Sequence, residues 1–110
     1  MSQGSEHYPI TETTRRIIDQ MTAAGFRRGK DYVLEFAFFG DSASRNRLRD
    51  YLVANGFTQD KAQSDEMLIV TRPVTLTYNS IGKALDEMKA LAHSYGVGFD
   101  GWSVDARQAR

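Results

Sequence analysis

The sequence predicts an α+β domain built from two βαβ halves behind an extra N-terminal helix. Residues 31–39 and 67–71 form two apolar runs of strand length, and amphipathic helix patterns separate and flank them. Gly56 and Gly96 each end a helix pattern directly before a strand pattern. Right-handed crossovers of two such halves interleave into a four-stranded antiparallel sheet in the order 4-1-3-2, with both crossover helices on one face. The predicted fold is therefore a ferredoxin-like βαββαβ sandwich.

The length and composition indicate one small domain. A chain of 110 residues can bury one modest core. We expect the domain over residues 10–106 and a disordered leader over residues 1–9, because the leader is polar and rich in small residues. No apolar run near the N-terminus has the length of a signal peptide or a membrane span, which favours a cytoplasmic location and no membrane partner.

Charge and residue usage argue against several classes of function. Lys+Arg and Asp+Glu both number 14, so no overall field draws the chain to nucleic acid, and direct nucleic-acid binding is not favoured. The chain has no cysteine, which excludes disulfides and thiolate chemistry. His7 and His93 lack the neighbouring ligands that a metal needs, and no serine stands in a nucleophile elbow. We therefore expect no enzyme activity, no metal and no cofactor.

The first helix and the first strand are read directly from the pattern. Thr11 can cap a helix that Gly25 stops. The apolar residues of this helix have roughly helical spacing: Ile10, Ile17, Ile18, Met21 and Ala24. In the run 31–39, only Glu35 interrupts the apolar residues that follow Asp31, so this run is the predicted central strand.

The second helix is expected to begin at Asp41 or Ser42 and to end at Gly56. Its predicted inward-facing residues are Leu48, Tyr51 and Leu52. Residues 57–62 are polar and include Lys61, as in an edge strand protected from pairing with other molecules, and residues 63–66 are expected to turn.

The second half repeats this order. Residues 67–71 should lie beside the central strand, and Pro73 should end pairing on at least one side near Arg72. Asn79 or Ser80 can cap the third helix. The apolar stripe of this helix is the most regular in the chain: Ile81, Ala84, Leu85, Met88, Leu91, Ala92 and Tyr95.

The last strand contains Asp100-Gly101, which allows a type I′ turn or a β-bulge. The flanking arms are short for a hairpin, so a bulge with Gly101 at positive φ is favoured. An inserted residue can turn Phe99 and Trp102 toward the same face. Trp102 is then either a core residue or part of a partner surface, where tryptophan is enriched.

Two further functions remain open. An uncovered sheet face with aromatics binds RNA in some ferredoxin-like modules, and Phe36, Phe38 or Phe39 are candidates for base stacking. A phosphate-binding patch is also conceivable, although a solvated helix face is the simpler interpretation of its arginines: Arg15, Arg16, Arg27, Arg28, Arg45, Arg47 and Arg49. The second alternative is a small-ligand domain or an adaptor for another protein.

A family resemblance over about residues 11 to 105 rests on the order of elements and on four stretches, of which the last is the most specific: Asp31-Tyr32-Val33-Leu34-Glu35-Phe36, Tyr51-Leu52-x-x-x-Gly56-Phe57, Leu91-Ala92-x-x-Tyr95 and Phe99-Asp100-Gly101-Trp102. This resemblance is to the RraB family, regulators of ribonuclease E activity. It implies a non-catalytic protein that binds the regulatory part of ribonuclease E and lowers the decay of certain RNAs. The best-known members are strongly acidic, whereas this chain is neutral. Our candidate partner-binding residues are Asp100, Trp102, Arg45 and Arg49.

Overall fold

A computed structural model describes residues 10–60 and 66–109, and these form an α+β fold. The elements are α1 (Glu12–Ala23), β1 (Asp31–Phe39), α2 (Ser42–Ala54), β2 (Thr58–Gln59), β3 (Met67–Thr75), α3 (Tyr78–Tyr95), β4 (Gly98–Val104) and a C-terminal 3₁₀ helix (Ala106–Ala109). The predicted leader 1–9, the end of the predicted second strand and most of the turn at 63–66 lie outside the described residues.

The strands form one antiparallel sheet in the order β2-β3-β1-β4. Read from the other edge, this is the predicted order 4-1-3-2. β1 is central as predicted, and its bounds agree with the predicted run 31–39. β2 is an edge strand of two residues, Thr58–Gln59, and it begins after Phe57 because the Phe57 amide donates back to the Leu52 carbonyl of α2 at 3.0 Å.

The core lies between one face of the sheet and the helices. Alternation along β1 turns its even-numbered side chains to the helices, where each is at most 4% exposed: Tyr32, Leu34, Phe36 and Phe38. Leu48 and Leu52 of α2 and Met88 of α3 are fully buried against them. Ile18 of α1 is also fully buried, so the extra helix extends the helical layer. No described element covers the other face of the sheet, where Val33 and Phe39 are 42% and 48% exposed.

Two of the three predicted helix starts are confirmed. Thr11 caps α1 by accepting the Thr14 amide at 3.1 Å, and Asp41 caps α2 by accepting the Ser44 amide at 2.9 Å. The bond from the Ser44 amide stabilises the charged carboxylate and lowers the pKa of Asp41. The prediction of Asn79 or Ser80 as the cap of α3 is wrong. Thr77 is the cap, because its extended backbone lets its hydroxyl accept the Ser80 amide at 3.0 Å.

β3 runs four residues beyond its predicted end at Thr71, and Pro73 lies inside it. Pro73 is opposite Val33 of β1, yet the Val33 amide and carbonyl bond to Gln108 on the far side of β1. The imino nitrogen of Pro73 therefore faces the β2 side, where pairing ends at Thr71. The predicted end of pairing is thus confirmed on one side, while pairing with β1 continues to Thr75.

The predicted inward position of Tyr51 is wrong. Leu48 and Leu52 fill the narrow buried stripe of α2, which leaves Tyr51 42% exposed. Its ring instead lies 5.9 Å from the ring of Tyr95 on α3, between centroids. Two residues of the family resemblance therefore meet at the surface of the helical layer.

Candidate partner-binding surface

The last strand carries the predicted β-bulge. Phe99 pairs with Phe38 and Gly101 with Ala37, so Asp100 is an extra residue that has no pairing partner on β1. Gly101 has φ 130°, a conformation that a side chain disfavours. Asp100 and Gly101 thus form a bulge within one strand rather than a hairpin turn.

The bulge places two aromatic side chains on the same face. Phe99 and Trp102 lie opposite Phe38 and Phe36, the two core residues at the centre of β1. The Phe99 ring is 5.3 Å from that of Phe38 between centroids. Trp102 packs against the core but stays only partly buried, because β4 has no neighbour on its outer side. Trp102 is therefore partly a core residue, and its place in a partner surface stays a prediction.

The outer edge of β4 presents unpaired backbone groups. Val33 bonds to Gln108 on the β4 side, so odd-numbered residues of β1 direct their backbone groups toward β4. Alternation in an antiparallel pair then turns the N–H and C=O of Trp102 and Val104 away from β1. Neither residue has a backbone partner on this side within residues 10–60 and 66–109. We call this row the β4 edge, Asp100 to Val104.

The C-terminal 3₁₀ helix lies beyond the end of β4 and bonds to β1 through Gln108. This contact was not predicted from the sequence. Gln108 Oε1 accepts the Val33 amide at 2.8 Å, and Gln108 Nε2 donates to the Val33 carbonyl at 3.0 Å. The side-chain amide thereby continues the ladder one residue beyond β4. At the same place Arg107 donates hydrogen bonds to Asp105, and these lower the pKa of Asp105 to about 2. A lone glutamine in a polar tail gives no signal of this role.

The uncovered sheet face continues from the β4 edge. A shallow depression of about 230 Å³ lies there, bordered by Glu35, Ala37, Ile69 and the residues from Asp100 to Ser103. Ser103 Oγ donates to Glu35 Oε1 at 3.1 Å across its floor. The exposed Phe39 ring lies over Gly98, where a Cβ would overlap it.

The structure removes two of the three aromatic candidates for stacking on RNA bases. Phe36 and Phe38 are fully buried on the helix side of the sheet, so they cannot stack on a ligand at the uncovered face. Phe39 alone of the three is exposed. The prediction that Phe36 and Phe38 could stack on bases is wrong, because a continuous apolar run does not show which alternate residues face the helices.

The two arginine candidates lie on α2. Arg45 Nε donates to the Gly40 carbonyl at 2.8 Å, and Gly40 packs against Val97 just before β4. Arg49 bonds to the neighbouring Asp50 at 3.0 Å. Arg45 is thus near the start of β4, whereas no hydrogen bond or ion pair within the described residues joins either arginine to Asp100 or Trp102.

The described ranges contain neither a group of metal ligands nor a membrane-spanning helix. Over residues 10–60 and 66–109, no three His, Cys, Asp or Glu residues are grouped so as to hold a metal ion. Within those same ranges, no helix has the length and apolar character needed to cross a membrane.

A known protein family matches most of the chain. The family model RraB, described as regulator of ribonuclease activity B, matches residues 11–104, from the cap of α1 to the last residue of β4. No curated protein matches the chain.

Proposed function

The chain belongs to the RraB family of regulators of ribonuclease activity, and on that premise we propose that it is a non-catalytic cytoplasmic protein that binds the regulatory region of ribonuclease E and modulates RNA degradation. The single observation that carries the proposal is the family match over residues 11–104. We include the ferredoxin-like assignment in the proposal, supported by the strand order and by the contact of α2 with α3 in one layer.

The β4 edge is the proposed docking site for an extended segment of the ribonuclease. The outward N–H and C=O groups of Trp102 and Val104 can pair with an added strand. Strand addition supplies affinity through backbone hydrogen bonds and takes specificity from the flanking side chains. An exposed strand edge can pair unspecifically with other chains, and a bound partner segment would cover it.

Asp100 and Trp102 have separate proposed roles at this edge. The bulge leaves Asp100 exposed and without an opposite residue, so its carboxylate is available to a cationic side chain of the partner. Trp102 is partly buried, and a bound partner can bury the rest of its ring. Tryptophans are enriched at binding hot spots. Arg45, near the start of β4, and Arg49, further along α2, are proposed as peripheral contacts.

Calorimetric titration of the whole chain with the purified regulatory region of ribonuclease E tests this function. We expect binding at micromolar concentration or below. Asp100→Asn and Trp102→Leu should each weaken binding, whereas Ile17→Ala, a change of an exposed apolar residue on α1, should leave it unchanged. Absence of binding at micromolar concentration would remove ribonuclease E as the partner.

A further inference from the structure

Two arginine side chains converge on one tyrosine ring away from the β4 edge. The Cζ atoms of Arg15 and Arg28 lie 4.5 Å and 4.2 Å from the centroid of Tyr78. Arg15 belongs to α1, Arg28 to the connector before β1, and Tyr78 is the first residue of α3. Three separate segments of the chain therefore build one cationic cluster, stabilised by cation–π contacts.

Backbone and side-chain bonds hold this cluster in place. The Gly29 amide donates to the Leu76 carbonyl at 2.9 Å, and the Leu76 amide donates to the Lys30 carbonyl at 2.9 Å. The connector is thus tied to the chain just before α3. The Tyr78 hydroxyl donates to the Asp19 carboxylate, which orients the ring between the segments. The cations are positioned before any ligand arrives, so less side-chain freedom is lost on binding.

Within the described part of the chain, the two arginines of the cluster make cation–π contacts but no ion pair. Arg16, Arg49, Arg72 and Arg107 each have an ion-pair partner. Within residues 10–60 and 66–109, neither Arg15 nor Arg28 has a carboxylate oxygen within ion-pair distance. Both arginines are exposed, so their guanidinium donors face solvent.

A third cation, Lys30, follows Arg28 by two residues on the same connector. Lys30 Nζ lies 5.6 Å from the centroid of Tyr32, whose hydroxyl accepts the Arg27 amide at 2.7 Å. We call Arg15, Arg28 and Lys30 the row. The positive end of the dipole of α3 lies beside it, because Tyr78 opens that helix.

We propose that this row, Arg15, Arg28 and Lys30, binds successive phosphates of a single-stranded nucleic acid. A row of separate cations fits a backbone with one charge per nucleotide, and guanidinium planes also accept stacked bases. The sequence favoured a solvated arginine face because it could not show that Arg15 and Arg28 meet at Tyr78. The site does not rest on the proposed binding of ribonuclease E.

Fluorescence anisotropy with a 5′-fluorescein-labelled oligouridylate of about 12 nucleotides, long enough to span the row, tests the site on the whole chain. We expect binding at 50 mM KCl. Three phosphate contacts give a slope of log affinity against log salt of about −2, or about a 20-fold loss between 50 and 200 mM KCl. Failure to bind at 50 mM KCl would overturn the proposal, since such contacts are strongest at low salt.

Matched variants separate the row from net charge. Arg15→Gln/Arg28→Gln should lower affinity at least about tenfold and flatten the salt slope by about 1.4. Arg16→Gln/Arg107→Gln removes the same charge from arginines paired elsewhere and should change affinity less than about threefold. Equal losses in the two double variants would show diffuse attraction and contradict the site.

Two further measurements address the ring and the ligand class. Tyr78→Leu should weaken binding although it changes no cationic residue, whereas Tyr78→Phe, which keeps the ring and loses only its bond to Asp19, should lose clearly less affinity. Circular dichroism confirms that each variant is folded. Competition by a decaglutamate peptide stronger than that by unlabelled oligouridylate would assign the row to an acidic protein segment and overturn the nucleic-acid proposal.

Discussion

The two strands that flank β1 differ in regularity. On one side β3 pairs with β1 through nine consecutive residues without interruption, and its Leu68 and Val70 are 3% and 0% exposed. On the other side a bulge divides the pairing of β4, and every residue of β4 keeps some exposure. Both strands contribute apolar side chains to Phe36 and Phe38. The β3 side therefore supplies stability, while the β4 side gives up regular pairing and leaves groups available to a partner.

The largest expected effect tests the stabilising side of this comparison. Leu68 and Phe99 lie opposite the same residue, Phe38, on its two sides. Leu68→Ala should lower the free energy of unfolding by about 2–5 kcal/mol, because it leaves a cavity in the closed core. Phe99→Leu should cost clearly less, since Phe99 is only partly buried. Urea denaturation measures both, and equal losses would remove the distinction between the two sides.

The bulge is tested by Gly101→Ala. A Cβ at this position meets no atom within 4 Å, so any loss comes from backbone strain at φ 130°. We expect a loss of about 1–3 kcal/mol in the free energy of unfolding. Ser103→Ala, on the regular part of β4, is the control and should cost less. A neutral Gly101→Ala substitution would show that the strand can relax without the bulge.

The side-chain extension of the ladder is tested by Gln108→Ala. It removes both hydrogen bonds to Val33 at an exposed site, so a loss of about 1 kcal/mol is expected. Hydrogen exchange of the Val33 amide should accelerate, while that of the Val70 amide in β3 should not. An unchanged Val33 exchange rate would show that Gln108 does not hold the end of β1.

The smallest effect is a pKa at the end of β4. Hydrogen bonds from Arg107 lower the pKa of Asp105 to about 2. Because the folded pKa lies below the ordinary value of 3.8, the contribution to stability is present above about pH 4 and is lost as the pH falls toward 2. Carboxyl-carbon NMR titration should show the low pKa, and Arg107→Gln should raise it. The lowered pKa of Asp41, caused by Ser44, should persist in that variant.

The sequence could predict features that are local. The bounds of β1 follow from an uninterrupted apolar run, and the bulge follows from Asp100-Gly101 in a strand too short for a hairpin. The cap of α3 was missed because Thr77 stands among strand-like residues, beside Asn79 and Ser80, which are common caps.

Features that join distant segments could not be predicted. The contacts of Arg15 and Arg28 with Tyr78 and the bonds of Gln108 to Val33 depend on the packing of the whole fold. No periodicity relates these residues along the chain. The position of Trp102 was predictable only in part. The bulge predicts which face of the sheet Trp102 lies on, but the sequence does not show that the edge strand β4 leaves Trp102 partly exposed.

Hydrogen exchange in the complex with the regulatory region of ribonuclease E tests the central claim most directly. If the ribonuclease adds a strand to the β4 edge, the amides of Trp102 and Val104 should become protected, while those of Leu68 and Val70, already buried in the sheet, should not change. Binding that leaves the Trp102 and Val104 amides unprotected, or no binding at all, would contradict the account.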